Sequence, residues 1–271
     1  MMESAALEHW LRDLNLPAWQ YYEEVGSTND IALAWLDQGA PDGALVVAGH
    51  QTQGRGRLGR TWITVPEAGL AFTLIVRPNA QLPFPVERLT ALGALAVAQA
   101  FKVGFGVDAH IKWPNDVLID KRKVCGILVE LAWQEEQLQG AVVGIGINVG
   151  RAAVPPAEGL HYPAISLEEV LGHPINRWDV LRRVLEAFFA WRHRLTSPEF
   201  MIAWEDHLAF RGEWVQASDG HNPPLIGRVK GLSPEGHLRL RLEDGTEYRL
   251  NAGEIRPLAA PFAGSSGGED A

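Results

Sequence analysis

Residues 51–62 read QTQGRGRLGRTW: three arginines (Arg55, Arg57, Arg60) alternate with three glycines (Gly54, Gly56, Gly59) in a chain whose formal net charge is -9. Glycine lets backbone take positive φ and approach a ligand closely, at the cost of more chain entropy on ordering. Arginine supplies a rigid, permanently charged fork that matches carboxylate and phosphate. The chemistry this pattern suits is a loop closing over a small anionic ligand; the other reading is a solvated basic turn. Gly54, Gly56 and Gly59 also fit G-x-G-x-x-G, but the dinucleotide fingerprint needs a helix directly after it and an acidic residue about 20 positions on. Here Arg60-Thr61-Trp62-Ile63-Thr64-Val65-Pro66 follows, β-branched, aromatic and closed by proline, with no acidic residue near position 79.

A second stretch, HIKWPNDVLIDKRKVCGILVEL (110–131), carries charge at a turn. Pro114-Asn115-Asp116 has turn chemistry. Asp116 beside lysines is a carboxylate set to stay ionised and able to hold Mg²⁺, or an ordinary Asx turn. Lys123 opens an apolar strand, so its ammonium projects over a sheet toward a ligand or sits exposed in a turn. A third cluster, Ser27-Thr28-Asn29, precedes a helix. Ser27 with Asp30 three residues later reads as a capping box; the alternative is a polar group at a helix N-terminus that bonds a ligand's head.

The elements that must position these groups follow from periodicity. Helices are expected over 4–14, after Ser27, over 87–101, 166–171, 178–195 and 198–207. Strands are expected over 19–25, 44–48, 69–76, up to Trp113, 117–119, 123–131 and 140–149, with a turn at 133–139. Alanine density in 87–101 suits close packing on a sheet. Residues 78–85 and much of 150–177 read as loop. From Arg211 to Leu258 the pattern changes to short β runs separated by turns such as Asp219-Gly220 and Glu243-Asp244-Gly245, the spacing of a small barrel. The domains are therefore 1–209, 210–259 and a Gly/Ser/acid tail, 260–271, expected to be disordered.

At 271 residues with 46% apolar and 21% charged content, the chain is an ordinary globular protein. The single cysteine, Cys125, excludes an internal disulfide, sits in an apolar run as filler, and fits a reducing compartment. No signal peptide or long apolar span is evident, so a cytoplasmic protein without membrane attachment is expected. The acidic balance argues against a dedicated nucleic-acid surface.

Taken together, Ser27-Thr28-Asn29, Gln51-Thr52 with GRGRLGR and Trp62, KWPND with a lysine seven residues after its aspartate, Gly126-Ile127-Leu128, and GIGIN (144–148) resemble the biotin–protein ligases over about residues 19–258. KWPND with Lys123 is the most specific of these. The resemblance implies an α+β fold: a mixed sheet packed with helices, of the class II synthetase-like biotin–lipoate ligase kind, followed by a small SH3-like barrel. It implies that biotin and MgATP give biotinyl-5′-adenylate and pyrophosphate, after which one lysine of a biotin carboxyl carrier domain takes the biotinyl group.

It further implies roles. Lys123, Arg57 and Asp116 would be catalytic, with Asp116 serving Mg²⁺ or orienting the incoming lysine. Ser27, Thr28, Asn29, Gln51, Arg55, Gly56, Arg57 and Lys123 would bind biotin. Arg55, Arg57, Arg60, Trp62, Asn115, Asp116 and Asn148 would bind ATP or the adenylate. Some members carry an N-terminal winged-helix domain and act as repressors. Only 26 residues precede Ser27, and residues 1–16 hold no basic recognition helix, so no DNA binding is expected. Exposed sheet edges would allow a homodimer or carrier docking by strand addition. The rival readings are a lipoate or octanoate ligase of the same architecture and a non-catalytic biotin or adenylate sensor.

Overall fold

Apolar runs separated by short turns must pair, because each buried strand N–H and C=O needs a partner. The computed structural model describes residues 2–78, 85–156, 158 and 162–258. The expected disordered tail, most of the 78–85 loop and part of the 150–177 loop lie outside the described residues. The chain divides into two compact units, Met1–Ala209 and Phe210–Ala271.

The first unit is built on seven strands: β1 (Trp19–Val25), β2 (Leu45–Gln51), β3 (Gly69–Val76), β4 (His110–Lys112), β5 (Asp116–Ile119), β6 (Arg122–Gln134) and β7 (Gln137–Asn148). Their order is β1-β2-β3-β7-β6-β5-β4. β1 runs parallel to β2 and the other neighbours pair antiparallel, so the sheet is mixed. The expected turn at 133–139 is a correction: Trp133 pairs with Leu138 and Gln134 with Gln137, after a bulge at Ala132/Trp133. The run is polar because the hairpin end faces water, and polarity there mimics a loop.

Helices cover both faces. α1 (Met2–Leu11), α2 (Thr28–Asp37), α3 (Val86–Phe105), α4 (Leu167–Leu171), α5 (Arg177–Arg192) and α6 (Pro198–Asp206) lie close to the expected spans. α3 packs on β6 and β7 and against α5. A Cβ at its Gly93 would stand 3.2 Å from Ile127 and 3.3 Å from Val143, so the helix sits close on the sheet. α2 lies on the opposite face, where Ala32 and Leu36 form a core with Val46, Ile75 and Val142. The edge strand β4 is covered by the chain at 207–209, through Ile111 N–H to His207 O and Ala209 N–H to Ile111 O. No described helix is long and apolar enough to cross a membrane.

Residues ahead of Ser27 belong to this unit: α1 packs on α5 and β1 is a strand of the sheet. One buried cation ties them in. Arg177, 6% exposed, donates to Gly69 O and to Glu3, and its guanidinium lies 4.3 Å from the Trp178 ring. Glu3 also accepts from the Tyr21 hydroxyl, which burial and then the Glu3 charge push up to about 12. Arg177→Ala leaves Gly69 O without that donor and Trp178 without its cation, and should cost about 3 kcal/mol. A melting curve checks this: an unchanged midpoint removes the tie.

The second unit holds β8 (Trp214–Ser218), β9 (Leu225–Leu232), β10 (Leu238–Leu242), β11 (Glu247–Leu250) and β12 (Glu254–Pro257), all antiparallel in the order β11-β10-β9-β8-β12. Val215, Val229, Leu240 and Ile255 alternate onto its buried side. The expected small β domain is present as these five antiparallel strands; among the described residues β12 pairs with β8 and β11 with β10, and no pairing between the two outer strands closes it.

Candidate active site

Strand alternation lays down the floor of the site. Val142, Gly144, Gly146 and Asn148 point to one face of β7. Val142 is covered by α2; beyond it the glycines leave room for side chains from other elements to lie on the sheet. Register extends this face sideways: Ala71 is opposite Gly146, Gly146 opposite Gly126, Gly126 opposite Asp116, and Asp116 opposite Lys112. The Trp62 indole lies on the two central glycines. A Cβ on Gly146 would come within 2.3 Å of Trp62 Cε2, and one on Gly126 within 3.3 Å of Cζ3. The glycines of GIGIN are thus the space an aromatic ring occupies.

At one end of the floor stands a buried polar network. Ser27, Thr28, Asn29 and Gln51 are each no more than 9% exposed. Gln51 Oε1 accepts from Thr28 N at 2.8 Å and Thr28 Oγ1 at 3.0 Å, while its Nε2 donates to Thr64 Oγ1 at 3.2 Å. Thr73 Oγ1 lies 2.8 Å from Thr28 Oγ1 and 2.7 Å from Asn29 Oδ1. Asn29 Nδ2 donates to Glu130 Oε2 at 2.6 Å.

One correction follows. The capping box does not form: Ser27 makes no side-chain cap bond, Asp30 is turned to Arg55, and the first N–H of α2 is capped from β2 by Gln51. Asn29, expected to bind biotin, bonds Glu130 and Thr73 through the two ends of its amide and lies over Gly144. The Ser27 hydroxyl and the second N–H of Gln51 are the groups this arrangement leaves to meet a ligand.

The arginine loop is a tight structure. Trp62 N–H bonds Gly54 O at 2.8 Å, Gly56 N–H bonds Arg60 O at 2.7 Å, and Arg55 bridges to Thr61. Gly54 is required by close approach, since a Cβ there would sit 2.4 Å from Trp62 O. The tip is Arg57–Gly59, with Leu58 at φ 57 and 73% exposed. A cleft of about 700 Å³ lies under the loop, bounded by residues 52–61, Leu128 and Glu130.

The three arginines divide. Arg57 Nη1 donates to Asn115 Oδ1 at 3.2 Å, beside the charged row. Arg55, expected as part of the ligand clamp, has its guanidinium on both oxygens of Asp30 at 2.6 and 2.7 Å and 3.2 Å from Glu130. The Asp30 hydrogen bond foremost, with the Glu130 charge, pushes its pKa further up. Gly56 and Arg60 shape the loop through the main-chain bond between them.

The charged row is a triad. Asp116, 6% exposed, lies 3.1 Å from Lys112 Nζ and 2.6 Å from Lys123 Nζ. Burial alone would raise its pKa; the Lys123 and Lys112 charges outweigh burial and hold it below the usual carboxylate range. Lys123 Nζ also stands 5.5 Å from the Trp62 ring centroid. The lysine is therefore held over the sheet, the expected placement, between a carboxylate and the aromatic ring.

This surrounding does not fit a resident Mg²⁺ on Asp116. Both carboxylate oxygens already face ammonium groups, and the described residues hold no cluster of three metal-ligating side chains. Asn115 bonds Ile127 O at 3.0 Å as well as Arg57. Asn148 Nδ2 donates to Ile165 O at 3.2 Å, and so fixes the 163–165 segment that pairs alongside Lys123. Both asparagines thus tie down the floor's edges.

Sequence reasoning missed Lys112, Thr64, Thr73 and Glu130 as site residues. Thr73 carried a signal, a lone hydroxyl within an apolar strand. Lys112 lay in KWPND itself. Glu130 and Thr64 carried none, because only pairing brings them here.

Comparison with known proteins agrees with this geometry. A model of the biotin/lipoate A/B protein ligase family matches residues 21–148. The chain is 35% identical over 238 residues to the biotin–[acetyl-CoA-carboxylase] ligase of Paracoccus denitrificans, covering 84% of this chain and 96% of that protein. It is 34% identical over 235 residues to the bifunctional ligase/repressor BirA of Bacillus spizizenii, covering 86% of this chain and 72% of that protein. Among solved structures, the biotin protein ligase from Aquifex aeolicus in complex with biotin and ATP superposes with a TM-score of 0.77 at 30% identity, over 89% of this chain and 100% of that one.

Proposed function

The chain belongs to the biotin/lipoate A/B protein ligase family, and we propose that it condenses biotin with MgATP to biotinyl-5′-adenylate and passes the biotinyl group to one lysine of a biotin carboxyl carrier domain. In the first step a biotin carboxylate oxygen bonds the α-phosphorus as the α–β bridging bond breaks, and pyrophosphate leaves. In the second the carrier's amine attacks the acyl carbon, the acyl–phosphate bond breaks, and AMP leaves with an amide formed. The acyl group is carried on AMP, so no covalent enzyme intermediate is needed.

The observation that carries this reading is Lys123, held between Asp116 and the Trp62 ring at the edge of a glycine floor. Bringing a carboxylate to a triphosphate sets two anions in contact, and preorganised cations must offset that repulsion and the charge developing in the displacement. In this reading Lys123 contacts the carboxylate and α-phosphate, and Arg57, beside Asn115, reaches the same phosphate. Asp116 fixes Lys123 and Lys112. Mg²⁺ enters as part of the substrate MgATP. Trp62 walls the adenylate from water, where a mixed anhydride would hydrolyse.

The polar end of the floor supports biotin over lipoate or octanoate. Ser27 and Gln51 sit in a buried hydrogen-bonded pocket. A ureido ring, with N–H and C=O edges, can satisfy such groups. An apolar acyl chain would leave them unpaired, the kind of mismatch that discriminates strongly.

Pyrophosphate release tests this, with biotin, lipoate and octanoate in parallel and a carrier domain added last. Release with biotin, then a mass gain on one carrier lysine, is expected. Release with lipoate or octanoate instead changes the substrate, and tight biotin binding with no release makes the protein a sensor.

A further inference from the structure

The buried network does not stop at Asn29. Thr64, Gln51, Thr28, Thr73, Asn29 and Glu130 are joined in one continuous chain of hydrogen bonds, and Glu130 passes it to Arg55 in the loop. Arg55 closes it on Asp30, one residue from Asn29, through a two-pronged ion pair. The loop's own main-chain bonds fold it on itself; Arg55 reaches out of it to bond both α2 and β6, while Arg57 reaches Asn115.

From this we infer that Asp30 and Glu130 are positioning residues that hold the arginine loop over the site by gripping Arg55. Neither carboxylate belongs to the reacting set: Lys123, Arg57 and Asp116 lie along the charged row, whereas Asp30 and Glu130 stand at the α2 end. A half-exposed ion pair suits a closure that must open. Side-chain exposures of 38% for Arg55, 52% for Asp30 and 30% for Glu130 leave the grip reachable by water and salt. Its strength therefore depends on ionic strength, unlike a buried pair. Asn29 shares Glu130 with Arg55, so the α2 pocket and the loop compete for, and are aligned by, one carboxylate.

The inference rests on the proposed ligase reading for its purpose, but its first test needs no ligand. Trypsin cuts after Arg57 and Arg60 in the loop. In Asp30→Asn/Glu130→Gln, which keeps side-chain shape and an acceptor for Asn29, cleavage at those two sites should speed up about tenfold. Raising salt should accelerate loop cleavage in the wild-type chain and much less in the double variant. Arg55→Lys, which keeps charge but loses the fork, should fall between them.

Loop cleavage within about twofold of wild type, or acceleration spread over the whole chain, overturns the inference. A second readout uses biotin, ATP and no carrier: the variant should lose bound adenylate about tenfold faster and show a raised KM for biotin. If wild-type protein makes no adenylate, the ligase reading fails while the proteolysis result still decides the grip.

Discussion

Lys123→Ala should slow biotin-dependent pyrophosphate release by about 10²–10³-fold, the loss expected when one preorganised donor to developing charge is removed. The magnitude follows from placement. Lys123 Nζ is fixed by Asp116 at 2.6 Å and backed by the Trp62 ring, and its main chain is pinned by Lys123 N–H to Pro163 O and Ile165 N–H to Lys123 O. The ammonium therefore need not be ordered at the moment of reaction. The loss should appear in both kcat and kcat/KM, because the group acts on charge that grows in the transition state. Rapid-quench measurement of adenylate formation checks it, and a loss under about threefold would place Lys123 outside contact with the reacting atoms.

Asp116→Asn is the second large effect, and it acts on stability and activity together. The substitution leaves Lys112 and Lys123, both drawn to one carboxylate, facing each other without it. Removing one member of a buried charge cluster costs about 3–5 kcal/mol. Activity should fall as well, since Lys123 loses the group that aims it. Lys112→Met with Asp116→Asn should recover part of the stability and none of the aim.

The wild-type chain also has a pH signature. Asp116 has a folded pKa below its ordinary 3.8, so the unfolded chain binds its proton more readily. Its contribution is fully present above that ordinary value and is lost as pH falls through the lower folded value. Melting curves between pH 3 and 7 should therefore show the gap between wild type and Asp116→Asn widest near neutrality and closing below about pH 4. A gap that stays constant to pH 3 would mean that folding does not lower the Asp116 pKa.

Much of this protein could be read from local sequence because the signals are local. The strands at 19–25 and 69–76 have the expected boundaries, the second from an unbroken apolar run, and helix α3 follows from its alanine-rich face. Lys123 and Asp116 are legible because charge in a turn beside an apolar strand is a feature of neighbouring residues. The 133–139 turn misled because polar residues on an exposed hairpin end look like a loop. Turn spacing likewise made the five short antiparallel strands of the second unit legible, though it says nothing of whether the two outer ones meet.

The sequence by itself determined the chemistry available: a guanidinium-rich glycine loop, a lysine and an aspartate seven residues apart at a hairpin, small polar groups before a helix, and glycines alternating along a strand. The tertiary structure alone decided how each is used. Asn29 and Glu130 are 101 residues apart, and Arg55 and Glu130 are 75 apart, yet they share one carboxylate. Gln51, not Ser27, caps α2, and Asp116 is committed to Lys112 and Lys123, not to a metal. The physical reason is that a polar side chain's partner is set by which strands pair and in what register, and register is a property of the whole sheet. Residue type fixes what a group can bond; only the assembled sheet fixes which bonds are already made and which remain for a ligand.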